Sequence, residues 1–447
     1  MKKATNLNEV DFALDFNSPV APEHPFFVDF STVRGDFQEK VVYKSLNVNL
    51  RDFSFDEKLN PLNKNLLFIS GMRGSGKTSE LRKYFTTLDK PNCFFCVFCN
   101  LDEELNLSNI EYMDILIFQL QKLIERAREK KLRLSSTVIQ SLQSWFHETI
   151  KEANSKLKAE GSAEIQVKAS TPGILSFFKI ATALKAAVSS AEESSLTVRN
   201  ILKNNFVNFS RKFNEFVEEV NREIRKKNLG REVLFIVDGL EKAMSIELRK
   251  KIIMEETNRL QQIRAYTMFT LPIELMKEQE YLKQFSTVIS FPFVKLQKKD
   301  NAYIDAALEK FKEFVYKRID ETLFDKGETV IEAIKFCGGS PRELLRILKM
   351  ANWLTDETKG IIDNESVKKA IQKLAEQSSK FITDAHIAKL KLIDENNKKS
   401  LITPFDDVIQ DLIEKLIVFE YNDGTYKRVN PVIKESFLYK QYVETRN

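Results

Sequence analysis

The sequence predicts an α/β fold: a parallel β-sheet split by a long helical insertion and followed by a helical C-terminal part. Three observations point there. Short apolar runs ending at glycine or an acid recur with helical stretches between them, the pattern of buried parallel strands. From about 108 to 228, apolar residues recur at three- and four-residue spacing with no strand among them. Beyond 300 the strand-like runs give way to helices until a hairpin signal near the end.

A chain of 447 residues exceeds one ordinary core, so two to four domains are expected. Hydrophobic residues make up 43% and charged residues 30%, which excludes a disordered or fibrous chain. A net charge of +5 is a slight basic excess that permits nucleic-acid binding without predicting it. The start, MKKATNLNEVDFALDF, has no apolar core of signal-peptide length, and no apolar window reaches the ~18 residues of a membrane span. A cytoplasmic protein without a membrane partner is expected.

The elements follow in order. Residues 1–60 read as an irregular segment leading into the core, with one short helical stretch, DFQEKVVYKSL. LLFIS (66–70) is a buried strand and TSELRKYFTTL a helix. CFFCVFCNL (93–101) is a second strand. Its Cys93, Cys96 and Cys99 are three apart, and on a strand such residues point to opposite faces, so they do not converge on one metal ion. His24, His147 and His386 are scattered and receive no catalytic role.

The insertion, about 105–228, holds amphipathic helices such as NIEYMDILIFQLQKLIERAREKKLRL and VIQSLQSWFHETIKEANSKL. ILSFFKIATALKAAV (174–188) is apolar but interrupted by Lys179 and Lys185, and is short of the ~20 residues of a span; a helix or hairpin packed inside the insertion is expected rather than a membrane-surface helix. LTVRNILKNNFVNFSRKFNEFVEEVNREIRKKN reads as one further long helix. REVLFIVDGLEKA (231–243), RAYTMFTLP (264–272) and STVISFPFV (286–294) are three more strands. Helices follow to about 376. Near the end, Asn422-Asp423-Gly424 between two β-prone runs signals a hairpin.

The chemistry is concentrated between the first strand and its helix. Gly71-Met72-Arg73-Gly74-Ser75-Gly76-Lys77-Thr78 fits G-x-x-x-x-G-K-[ST] in full. Glycines let the backbone wrap close enough for its N–H groups to face phosphate oxygens, and the helix that begins near Lys77 adds its positive end. Lys77 is the charge for the β- and γ-phosphates and Thr78 a magnesium ligand. The candidate ATP-binding residues are Gly71, Arg73, Gly74, Ser75, Gly76, Lys77, Thr78 and Ser79. Such a loop needs a magnesium acid on a neighbouring strand, and VLFIVDGLE supplies Asp238 at a strand's carboxyl end. Glu241, three residues on, is the candidate to orient or deprotonate the attacking water. Thr270, ending the next strand, is a polar group for the γ-phosphate or that water. FCGGSPRELLRILKM (336–350) opens a helix at Pro341. Arg342 at its start is the candidate to reach the nucleotide.

These four stretches, in order, resemble the Walker A, Walker B, sensor-1 and sensor-2 elements of AAA+-related P-loop ATPases. The DGLE form is closer to the STAND subgroup of signal-transducing ATPases, and the ending is similar too: a helical lid, then a winged-helix domain. The resemblance covers roughly residues 25–445. It implies ATP–Mg²⁺ bound between core and lid, a switch between a closed state and an assembly, and a bacterial role in defence against phage. The family pair is Asp-Glu; here Glu241 is displaced by three residues, which implies slow hydrolysis. No repeat array or effector domain follows the winged helix, so the resemblance implies a separately encoded effector protein, joined in an ATP-dependent homo-oligomer or hetero-complex. The expected division is 1–60 N-terminal segment, 61–300 ATPase core, 301–376 lid and 377–447 winged helix.

A DNA-acting AAA+ ATPase, an initiator or transposition-type loader, is the alternative. It is not favoured, because the candidate recognition helix PFDDVIQDLIEKL (404–416) sets Asp406, Asp407, Asp411 and Glu414 against Lys415 alone, a charge that repels phosphates. Lys427 and Arg428 of the wing are balanced by Glu420 and Asp423. The basic stretches ERAREKKLRL and REIRKKN are the better nucleic-acid candidates, and a solvated helix face explains both.

Overall fold

The computed structural model describes residues 2–34, 37, 39–57, 66–159, 162–166, 173–190, 194–284, 286–298, 300–356, 358–422 and 424–441. Asp423 of the expected hairpin turn lies outside them. The chain divides into two compact units. The first gathers Met1–Glu39, Ser70–Lys83 and Ser290–Asn447, and the second Lys40–Ile69 and Tyr84–Ile289. Each has its own apolar core.

The second unit is α/β. Its sheet is formed by β1 (Leu66–Ser70), β2 (Phe94–Asn100), β3 (Glu232–Asp238), β4 (Tyr266–Leu271) and β5 (Thr287–Ser290), in the order β2-β3-β4-β1-β5. β2 and β4 both run parallel to β3, with Phe94 opposite Glu232 and Leu234 opposite Tyr266. Every residue of β3 is buried, which is why it reads as a continuous apolar run with no alternation. The expectation of a parallel α/β sheet is met.

Helices α4 (Tyr112–Glu129), α5 (Ser136–Ala159), α6 (Ile174–Val188), α7 (Ser194–Asn204) and α8 (Phe206–Lys226) form the insertion. They follow α1 (Leu7–Ala13), α2 (Glu39–Ser45) and α3 (Lys77–Leu88) along the chain. α6 packs with Phe177, Ile180, Leu184 and Val188 buried among its neighbours. Burial of each such side chain contributes about 1.5–3 kcal/mol. Among the described residues, no helix is long and apolar enough to cross a membrane. The single long helix expected after residue 195 is two helices, α7 and α8, broken at Asn205. The Asn205 side-chain amide and its backbone N–H both donate to the carbonyl of Ile201, at 3.2 and 3.1 Å, so the ladder bond is kept at the break. One buried ion pair ties α7 to α4: Arg199 meets Asp114 at 2.9 and 2.7 Å, and both are 1% exposed.

The first unit is mainly helical. α9 (Asp305–Tyr316), α10 (Gly327–Phe336), α11 (Pro341–Trp353) and α12 (Asn364–Ser379) build its core around Phe311, Val330, Leu344, Leu348 and Val367. α13 (Asp384–Lys398), α14 (Asp407–Glu414) and the antiparallel hairpin β6 (Val418–Tyr421)–β7 (Tyr426–Val429) follow. α1 had no clear sequence signal, since only Val10 and Ala13 of it are buried. Asn352 of α11 reaches it, donating to the carbonyl of Leu7 at 3.2 Å.

Candidate functional site

The glycine loop leaves β1 at Ser70, enters the first unit, and runs into α3. Gly74 and Gly76 take φ values of +86° and +94°, the left-handed region that the wrap requires. At Gly74 space is short as well: a Cβ there would lie 2.8 Å from the Cβ of Arg342. The first N–H groups of α3 have no partner inside the helix and face whatever occupies the loop.

Lys77 is buried, 6% exposed. Its ammonium donates to the carbonyls of Gly71 at 2.7 Å and Met72 at 3.2 Å. An ammonium has three donors, so one remains for an anion. The hydroxyl of Ser75 is buried and has no hydrogen-bond partner among the described residues. Thr78 and Ser79 are half-buried in the first turn of α3, and Arg73 is exposed. A spare ammonium donor, an orphaned hydroxyl and a helix start form a cradle that fits a phosphate.

Three segments distant in sequence grip this loop inside the first unit. Arg34, 3% exposed, donates to the carbonyls of Ser75 at 2.8 Å and Pro292 at 2.7 Å, with its guanidinium 3.9 Å above the Phe291 ring. Ser340, the N-cap of α11, donates to the carbonyl of Gly74 at 3.4 Å while accepting from the N–H of Glu343 at 3.3 Å. The N–H of Glu420 in β6 lies 3.2 Å from the sulfur of Met72. Arg342 sits against Gly74 and donates to Asn17 Oδ1 at 3.0 Å. Burial, then the like charge of Arg73, lowers its guanidinium pKa. Below the loop, Lys83 joins Asp29 at 3.1 Å and Glu39 at 3.0 Å. Burial pushes the Glu80 carboxyl of the same cluster up.

Asp238, Glu241 and Thr270 belong to the second unit. Asp238 ends β3, 1% exposed, in register with Asn100 at the end of β2. Gly239 follows with φ +96°, and its N–H donates to the Thr270 hydroxyl at 3.1 Å. Thr270, fully buried, therefore fixes the turn after Asp238. Glu241 stands in the next helical turn, and its Oε2 is buried without a hydrogen-bond partner among the described residues.

Sequence reasoning missed two residues. Arg34 had no signal, because it lies in an irregular segment and acts only through tertiary contacts. Asn100 had one: a polar residue closing an apolar strand, the same logic that selected Asp238. Its Oδ1 is buried and likewise has no partner among the described residues.

No protein-family model matches the chain, and no curated protein matches it in sequence. Solved structures give distant likenesses. The Walker-type ATPase PABY2304 of Pyrococcus abyssi is 15% identical at a TM-score of 0.39, over 92% of this chain and 98% of that one. The Aeropyrum pernix ORC1 protein in complex with DNA is 11% identical at 0.36, over 97% of each. The Thermotoga maritima RuvB Holliday junction branch migration motor is 10% identical at 0.32, over 89% of this chain and 95% of that one.

Proposed function

We propose that this chain is an ATP-binding switch, a P-loop ATPase related to the AAA+ and STAND groups, that regulates or assembles an effector complex. The observation that carries the reading is the grip on the glycine loop. Arg34, Ser340, Arg342 and Glu420 reach it from three segments of one unit. A phosphate entering the loop changes the shape that all of them touch.

Gly74, Gly76 and the start of α3 would wrap the phosphates. Lys77 would hold them through its remaining donor, and Ser75 through its hydroxyl. Thr78 and Asp238 would hold magnesium, which supplies charge neutralisation when bound. Glu241 would take the proton of the attacking water, with Thr270 keeping the Asp238 turn in shape. Its place three residues beyond Asp238 supports slow turnover. Arg342 would answer the nucleotide from the C-terminal side. The reading extends to a separately encoded effector protein, an ATP-dependent homo-oligomer or hetero-complex, a C-terminal winged helix used for protein contact, a cytoplasmic location, and a part in antiviral defence.

The cations beside α14 are taken up by its own acids, which leaves none of these pairs to meet a phosphate and weighs against a DNA-acting ATPase. Asp406 caps the helix and pairs with Lys389, and Asp411 meets His386 at 2.8 Å and pairs with Lys415. Titration calorimetry with ATP and magnesium tests the reading, beside turnover measured with and without DNA. Tight ATP binding and DNA-independent turnover support it; turnover strongly stimulated by DNA turns it over in favour of the alternative.

A further inference from the structure

A cavity of about 410 Å³ lies in the first unit, walled by residues 295–297, 301 and 303, the end of α10, residues of strands β6 and β7, and Pro431, Lys434 and Glu435. None of the candidate ATP-site residues lines it. That size is in the ~300–1,000 Å³ range of small-molecule sites.

Its lining is basic and aromatic. Lys295, Lys335, Arg428 and Lys434 face it, against the single acid Glu435. Two of these charges are answered nearby: Lys434 meets Asp394 at 2.9 Å, and Glu435 meets Lys440 at 2.6 Å. Among the described residues, Arg428 donates only to neutral amide oxygens, those of Gln297 and Asn301. Lys295 and Lys335 have no ion-pair partner among the described residues, and each instead lies beside a ring. Lys295 and Arg428 lie over the Tyr426 ring, 5.6 and 5.8 Å from its centroid, and Lys335 lies over the Tyr303 ring at 5.2 Å. Both rings are half-buried and line the cavity. Tyr421, buried, completes the wall and donates to the carbonyl of Gly338 at 2.6 Å.

Three like charges around one half-open cavity repel each other, and an anion between them removes that cost. The half-buried tyrosine rings carry these cations over them, and a ring face not covered by a cation stacks on a base. We propose that this cavity is a second, regulatory nucleotide site. It takes a nucleoside phosphate, with the phosphate on Lys295, Lys335 and Arg428 and the base against Tyr426 or Tyr303.

The site also has a route to the glycine loop. Tyr421 lines the cavity, and its neighbour Glu420 contacts Met72. Gly338 lines it too, and Ser340 donates to Gly74. These contacts are the route by which occupancy of one site would bias the other, reciprocally. This coupling rests on the loop being an ATP site; the cavity's own ligand does not.

The test uses full-length Lys77→Ala protein, in which the loop is disabled. AMP, GMP, CMP, UMP, their diphosphates, inorganic pyrophosphate and a short oligothymidylate are titrated by calorimetry. At least one mononucleotide should bind, saturably. Lys335→Glu should weaken it about tenfold or more. Tyr426→Ala and Tyr303→Ala, each made singly, separate the rings, and at least one should weaken the nucleotide and leave pyrophosphate unchanged. Lys335, Tyr426 and Tyr303 are partly solvent-exposed, and an unchanged circular dichroism spectrum verifies the fold. Binding of no mononucleotide overturns the proposal, as does binding indifferent to Lys335→Glu. Pyrophosphate binding as tightly as every nucleotide overturns it by removing the base, and oligothymidylate binding alone overturns it in favour of a polymer. ATP titrated into wild type reads the loop separately, so failure at either site is recognised by itself.

Discussion

Arg34 donates to the carbonyl oxygen of Ser75 at 2.8 Å, joining the N-terminal segment to the middle of the glycine loop across 41 positions of sequence. The other arm of the guanidinium reaches Pro292 at 2.7 Å, so one side chain fastens the loop to the segment that follows β5. The two bonds leave from separate nitrogens of one rigid planar fork; a lysine has a single ammonium and would have to reach both carbonyls from one point. Arg34→Lys should therefore keep the charge, lose one of the two bonds, and cost about 1–3 kcal/mol of stability. Urea unfolding measures that loss, and a fall in ATP affinity in the same variant links it to the loop.

Lys77→Ala removes the buried ammonium and its donor to the phosphate. Charge-assisted bonds contribute about 1.5–3 kcal/mol each, so ATP affinity should fall on the order of 100-fold. Titration calorimetry measures it, and unchanged affinity refutes the site.

Glu241→Gln keeps the size of the side chain and removes its ability to take a proton. ATP binding should persist while turnover slows ~100-fold, the scale of general-base catalysis. Single-turnover phosphate release distinguishes the two, and unchanged turnover removes Glu241 from the mechanism.

The carboxyl of Asp320 accepts from the N–H of Thr322 and pairs with Lys3 at 3.1 Å, which holds its pKa at about 2. A lowered folded-state pKa gives stability that is present above the ordinary carboxylate value, near 4, and lost as pH falls through about 2. Acid unfolding of the wild type should include a component between pH 4 and 2 that Asp320→Asn lacks. An identical acid profile for the two proteins contradicts this.

The glycine loop, the run ending in Asp238 and the strands along the chain could be read from the sequence because each is local. A buried parallel strand is a short apolar run, and a phosphate loop is a fixed spacing of glycine and lysine. What escaped the sequence is tertiary. Nothing near Arg34 says that it meets Ser75, and nothing near Tyr421 says that it closes a cavity against Gly338. The break at Asn205 escaped because the apolar spacing of α7 and α8 continues across it. The division of the chain was hidden for the same reason: residues 70–83 lie between two stretches of the second unit yet pack with the first.

We propose that ATP at the glycine loop drives assembly. It is tested most directly by the solution mass of wild type and Lys77→Ala, each with and without ATP and magnesium. A shift of the wild type to a larger species with ATP, absent in the variant, is the predicted result. A wild type that stays a monomer under both conditions, or a variant that assembles equally well, contradicts it.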